Sequence, residues 1–174
     1  TLIDDIIELS RLDEGGSGLS IENIDLYELA RTTVVRLAPA AKSAGVTLEL
    51  AGGAAPISAD PRLIEELLYN LIENAIKYNK EGGSAEVNVS SEGESTVLKV
   101  SDTGIGIPAR YQKRVFERFF RIDKSRSKDT GGTGLGLSIV KHVAAVHHAS
   151  LELHSEEGKG TEITVTFKKG QTAA

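Results

Sequence analysis

The sequence contains no cysteine, no methionine and no tryptophan, and only 4 prolines in 174 residues. Without cysteine there can be no disulfide and no thiolate metal site, which fits a reducing compartment. Methionine is missing even from the first position, so the chain is expected to be a piece of a longer one. No run approaches the roughly 20 consecutive apolar residues that span a bilayer. Asp4, Asp5 and Glu8 break up the first apolar residues, so no secretory leader is expected. No Lys/Arg block stands out among 20 basic and 25 acidic side chains, net charge −5. Nucleic acid is therefore not an expected partner, nor is direct contact with a membrane.

What remains is the balance of a globular protein, with 40% hydrophobic and 26% charged residues. The length suffices for one domain with its own core and hardly for two. Residues 1–14 place Leu2, Ile3, Ile6, Ile7, Leu9 and Leu12 on a helical stripe that Gly15, Gly16 and Gly18 end. With no cap at its start, this segment reads equally as the tail of a truncated helix or as an ordinary N-terminal one. Strands are expected over 19–24, 46–50, 85–90, 96–102, 150–154 and 161–167. Helices are expected over 26–43, 61–79 and 135–148, the second opened by Asp60 as N-cap and Pro61 in its first turn. A short helical piece falls near 110–119, inside a long polar stretch of the kind that commonly forms a functional lid. Helices interspersed with hairpin-like strand pairs predict a two-layer α/β sandwich, with helices on one face of a mixed sheet.

Three segments carry candidate chemistry. In the helix over 61–79, Ile64, Leu67, Leu68, Leu71, Ile72 and Ala75 form one apolar face and Arg62, Glu66, Glu73 and Lys80 the opposite polar one. Asn70, Asn74 and Lys77 line the seam between them. Amide oxygens are hard ligands that suit Mg²⁺, and an ammonium suits phosphate; alone, the two asparagines are better explained as bonding neighbouring backbone. In Asp102-Thr103-Gly104-Ile105-Gly106-Ile107 the strand period puts Asp102 on the same side as Leu98 and Val100, hence inward. A carboxylate there needs a donor, and the glycines let backbone approach a flat ligand; a tight turn with a surface aspartate is the alternative. In Gly131-Gly132-Thr133-Gly134-Leu135-Gly136-Leu137 a glycine-rich turn runs into a helix, whose N-terminus offers N–H groups and a favourable dipole to phosphate. Its spacing fits neither the dinucleotide fingerprint nor the P-loop. Before it, Phe116, Phe119 and Phe120 could anchor a lid to the core or form a satellite cluster under a loop.

In this order these segments resemble the motif boxes of sensor histidine kinases. Residues 70–78 resemble the N box, 102–107 the G1 box, 116–121 the F box and 132–137 the G2 box, and Leu9-Ser10-Arg11-Leu12-Asp13 looks like the end of that family's dimerisation hairpin. The resemblance implies the Bergerat ATP-binding fold, a mixed, mostly antiparallel sheet backed by three helices. It implies residues 1–14 as the end of the phosphoacceptor helix, 15–170 as the catalytic domain and 171–174 as a tail. Asn74, with Asn70, would bind the Mg²⁺ that bridges the phosphates of ATP. Lys77 and Arg121 would hold phosphate oxygens, and Tyr78 would line the pocket. Asp102 would accept a hydrogen bond from the adenine amine. Gly104, Gly106, Gly132, Gly134 and Gly136 would shape the pocket and the lid hinges, with Ile107, Thr133, Leu135 and Leu137 also at the ATP site.

The implied activity is that of an ATP-dependent protein-histidine kinase, with its own dimerisation domain and a response regulator as partners. The parent would be a homodimer anchored in the cell membrane with this domain in the cytoplasm. None of His142, His147, His148 and His154 is followed by an acid as the phosphoacceptor would be, so they read as ordinary helix and strand residues. Two rivals remain. Hydrolases of the same fold carry a glutamate, as general base, where Asn70 stands, and an amide cannot take that proton. A pure interaction module would not need Asn74, Asp102 and the glycine boxes.

Overall fold

The computed structural model describes residues 18–122 and 133–169. The expected opening helix, the lid residues 123–132 with Gly132 among them, and the tail lie outside the described residues.

The chain order is β1 (Glu22–Asp25), α1 (Leu26–Ser43), β2 (Thr47–Gly52), β3 (Pro56–Ala59), α2 (Pro61–Lys77), β4 (Ser84–Glu92), β5 (Ser95–Asp102), a single 3₁₀ turn at Ala109–Tyr111, α3 (Gly136–Val146), β6 (Ser150–Glu156) and β7 (Gly160–Lys168). Five strands form one sheet in the order β2-β4-β5-β7-β6, and β1 pairs with β3 in a separate ribbon. Only β2 and β4 run parallel; the other pairs of the large sheet are antiparallel. This is the expected mixed, mostly antiparallel sheet with three helices.

Alternation explains the layering. Ala85, Val87 and Val89 of β4, Leu98 and Val100 of β5, and Ile163, Val165 and Phe167 of β7 are buried, while their neighbours face outward. The inward rows meet α2, whose Ile64, Leu67, Leu68 and Ile72 are fully buried. Every residue of the apolar face predicted for this helix is in the core. Asp60 caps it, accepting from Arg62 N at 3.0 Å. Asp25 does the same for α1 through Tyr27 N and also takes Ala55 N, each at 3.0 Å, tying the helix start to the β2–β3 connection.

Three elements depart from expectation by more than a residue or two at their ends. β3 was not foreseen: it has four residues and starts at a proline, and only its pairing with β1 makes it a strand. β1 begins at Glu22 rather than Leu19 because its partner has no residue beyond Ala59 to offer. The helical piece near 110–119 is one 3₁₀ turn followed by turns. Its phenylalanines do not enter the core: Phe116 and Phe120 are half-buried and Phe119 is 54% exposed. Of the three, Phe120 has its ring 5.8 Å from that of Tyr111 and beneath the Arg114 guanidinium at 4.4 Å.

Leu68 lies between α2 and the sheet with no exposed surface. Leu68→Ala is expected to cost about 2–5 kcal/mol of unfolding free energy, readable as a lowered midpoint in urea denaturation.

Candidate functional site: a cavity between helices α2 and α3

A cavity of about 940 Å³ opens beside α2, within the size range of small-molecule sites. The Asn70, Asn74 and Lys77 seam forms one wall. Asn70 Nδ2 donates to Glu66 O at 2.9 Å, which turns its amide oxygen toward the start of α3. A Cβ on Gly136 would stand 2.7 Å from Asn70 Oδ1 and 3.7 Å from Asn74 Nδ2. A side chain at this position would have to push the Asn70 amide aside. No side chain caps that helix N-terminus, and the amide hydrogens of its first turn have no intrahelical acceptor. The positive end of the helix dipole therefore meets the asparagine stripe in one space suited to an anion.

Asp102, at the end of β5, lines the far side of the cavity. Leu98 and Val100 on the same face are buried, so Asp102 points inward as the strand period predicts. Its Oδ1 accepts from Gly104 N at 2.8 Å. Burial pushes its carboxyl above the usual carboxylate range, and the N–H groups of Gly104 and Thr161 pull partly the other way. The loop that follows is held on both sides. Ile105 N donates to Tyr78 O at 3.0 Å, and Ile107 N donates to Ser155 Oγ at 2.8 Å. Gly106 has φ +66 and lies so close to the carbonyl oxygen of Glu156 that a side chain would collide with it.

Ser155 and Gln112 were absent from the sequence expectations. Ser155 Oγ also donates to Gly160 O at 2.9 Å, and Gln112 Nε2 bridges Ile107 O and Ser155 O at 2.9 and 2.8 Å. Neither residue sits in a motif, and the Ile107–Ser155 bond spans a separation of 48 residues, so no local pattern could have pointed to it.

Cations gather at the Lys77 end of the cavity. Burial lowers the Lys77 ammonium from its ordinary range and nearby Arg121 lowers it further, while Glu73 opposes both. Lys77 Nζ lies 5.7 Å from the centre of the Tyr78 ring. That ring is 41% exposed at the cavity edge, and burial of its hydroxyl raises its pKa. Arg121, Thr133, Leu135, Leu137, Gly106 and Ile107 all line the cavity.

One expectation needs correcting. Glu66 and Glu73 were assigned to the polar face opposite the apolar one, yet both line the cavity beside Asn70. They are neighbours of the seam on the helix surface, and their side chains are long enough to reach over it. Glu73 Oε1 accepts from Tyr69 Oη at 3.1 Å. Phe119 is a further surprise. Its φ is +61, rare for a bulky residue, and its N–H donates to Gly134 O at 2.9 Å. The F-box segment thus meets the glycine-rich turn through backbone, not through a ring in the core.

Residues 59–171 match the family model for histidine kinase-, DNA gyrase B-, and HSP90-like ATPases. The chain belongs to this family, as the ATP-binding domain found in sensor histidine kinases. It is 39% identical over 167 residues to the sensor-like histidine kinase SenX3 of Mycolicibacterium smegmatis, covering 95% of this chain and 44% of that protein. It is 31% identical to the sensor protein kinase WalK of Staphylococcus haemolyticus, covering 95% and 28%. Full-length ShkA, solved in complex with AMPPNP, superposes with a TM-score of 0.84 at 27% identity, covering 99% of this chain and 36% of that one. The chain thus spans less than half the length of these relatives.

The raised pKa of Asp102 carries a stability consequence. A folded state that holds this proton more tightly than the unfolded chain loses stability as pH rises through the carboxyl's titration. Asp102→Asn keeps an oxygen for Gly104 N and removes the buried charge. It is expected to unfold at a higher temperature than the parent at pH 7, and the difference should shrink as pH falls toward 4. Calorimetry across that range checks it.

Proposed function

We propose that this domain binds ATP with Mg²⁺ and transfers the γ-phosphoryl group to a histidine on a separate dimerisation segment. The observation that carries this reading is one cavity with an inward carboxylate at one end and, at the other, two asparagine amides against an uncapped helix N-terminus. Asp102 would accept from the adenine amine; guanine offers a carbonyl there, so GTP is disfavoured. Lys77, Arg121 and the first-turn amides of α3 would hold phosphate oxygens.

The residues present fit the metal. With Nδ2 of Asn70 committed to Glu66 O, its oxygen remains as a hard donor beside Asn74, and Mg²⁺ in such sites takes few protein ligands plus phosphate oxygens and water. When bound, the ion would neutralise charge on the phosphates. The remaining work belongs to the protein: phosphoryl transfer rests on positioning and charge stabilisation, and Asn70, an amide, takes no proton from water.

The reading extends to the parent protein. Residues 1–14 would be the end of the phosphoacceptor helix, 15–170 the catalytic domain and 171–174 a tail. The parent would be a homodimer held at a membrane with this domain in the cytoplasm, passing phosphate to a response regulator. Among the described residues no helix is long and apolar enough to cross a membrane.

Two measurements test the proposal. ATP titrated calorimetrically should bind at least tenfold more tightly than GTP, a hydrogen bond to a charged group being worth about 1.5–3 kcal/mol. Mixed with the dimerisation hairpin of its parent and radiolabelled ATP, the domain should label the hairpin slowly, since the reactants are untethered. The label should be acid-labile. Asn74→Ala should abolish it and Lys77→Ala weaken it. Phosphate release at full rate without any hairpin would favour hydrolysis.

A further inference from the structure

His147, which follows the last residue of α3, is 5% exposed and has both ring nitrogens engaged. Nδ1 is 2.8 Å from Val143 O, and Nε2 is 3.0 Å from the backbone nitrogen of Asp60. A carbonyl can only accept and a peptide N–H can only donate, so the imidazole is neutral with its proton on Nδ1 and its lone pair on Nε2. Asp60 is itself a junction. It caps α2 through Arg62 N, and its Oδ2 accepts from Ser20 N at 3.0 Å and from Arg62 Nη2 at 2.9 Å.

The two helices are thus tied at one end by His147 and Asp60. At the other, Gly136 lies against Asn70 and Asn74. Asp60 to Asn70 spans about 15 Å of α2, and Gly136 to His147 about 16 Å of α3, at 1.5 Å per residue. Two rods of equal length lie antiparallel, pinned at one end and meeting at the phosphate end of the cavity at the other. A slip at the pin is carried along a stiff helix to the amides at its start.

We propose that His147 is a positioning residue for the nucleotide: its neutral ring holds α3 in register on α2, so that the first-turn amides of α3 stay opposite Asn70 and Asn74. This rests on the reading of the cavity as the ATP site. A proton on Nε2 would set donor against donor at Asp60 N and release the pin. The charged groups facing the ring are Asp60 from the start of α2, which favours the proton, and His148 next in the chain, which opposes it. Arg62, paired with Asp60 and reached by Glu22 of β1, tempers the first. Burial outweighs them and holds the imidazole below its usual range. The pin's contribution to stability is therefore complete above the ordinary imidazole range of about pH 6.5, and pin and register are lost as pH falls through the lower range in which the folded ring takes its proton.

The test is ATP affinity with Mg²⁺, measured calorimetrically at 10 °C from pH 7.5 down to the lowest pH at which the parent chain remains folded, for the parent chain, His147→Gln and His147→Ala, with circular dichroism confirming that each is folded. Glutamine can place an oxygen near Nε2 and does not titrate. The ratio of parent to His147→Gln affinity cancels protonation of the ATP itself. It should fall about fivefold or more on acidification, and His147→Ala should bind about tenfold more weakly at pH 7.5 while remaining folded. A pH-independent ratio between folded proteins overturns the proposal. So does a His147→Ala variant that melts at lower temperature but binds ATP as the parent does, because the ring is then merely structural. If His147→Ala does not fold, the ratio alone decides. Failure of all three proteins to bind ATP at any pH would instead sink the nucleotide reading, and this inference with it.

Discussion

Helix α2 has to serve two environments from one cylinder. Toward the sheet it buries Ile64, Leu67, Leu68, Leu71, Ile72 and Ala75, each large aliphatic side chain contributing on the order of 1.5–3 kcal/mol. About a third of a turn away it presents Asn70, Asn74 and Lys77 to the cavity. Burial locks the helix rotationally, and the polar stripe then points where it does with little freedom to drift. The site's accuracy is borrowed from the core beneath it.

The second wall depends on the first. α3 begins against the Asn70 amide at a glycine, where a side chain would push that amide aside, and it stays aligned through the His147–Asp60 bond at the opposite end. The third wall is assembled from three chain segments. The loop after Asp102 hangs between Tyr78 O and Ser155 Oγ, so the end of α2 and the end of β6 together determine where the Asp102 carboxylate sits. A ligand in this cavity touches residues whose positions are each set by a partner elsewhere, which is how an open, polar site remains organised without a core of its own.

Asp102 is held at a cost. Burial disfavours its charge, and two peptide N–H groups offset only part of that. A carboxylate kept partly desolvated and under-supplied with donors is poised to take one from a ligand, at the expense of the stability of the empty protein. Lys77, depressed by burial and by Arg121, stands in the mirror situation for an anion. Both ends of the cavity are electrostatically incomplete, with opposite signs, in a way that adenine and polyphosphate would complete.

The parts of this protein legible in its sequence are those governed by short-range periodicity. The apolar face of α2, its Asp60 cap, the inward turn of Asp102 and the glycine at the start of α3 are all repeats or neighbours within a few residues, where the geometry of one helix or one strand dictates which side chains share a face. The order of the four motif boxes was legible too, and with it the ATP-binding family. What the sequence could not supply are contacts whose two halves lie far apart along the chain. β3 exists only because β1 pairs with it; Ser155 matters only because Ile107 N reaches it; Glu73 lines the cavity only because segments distant in the chain, Arg121 among them, come up beside that part of α2. His147 looked like an ordinary helix residue until folding brought it to Asp60, at a separation of 87 residues. Local propensity assigns each residue a face, but which distant group meets that face is decided only when the layers close and every buried donor has to find an acceptor.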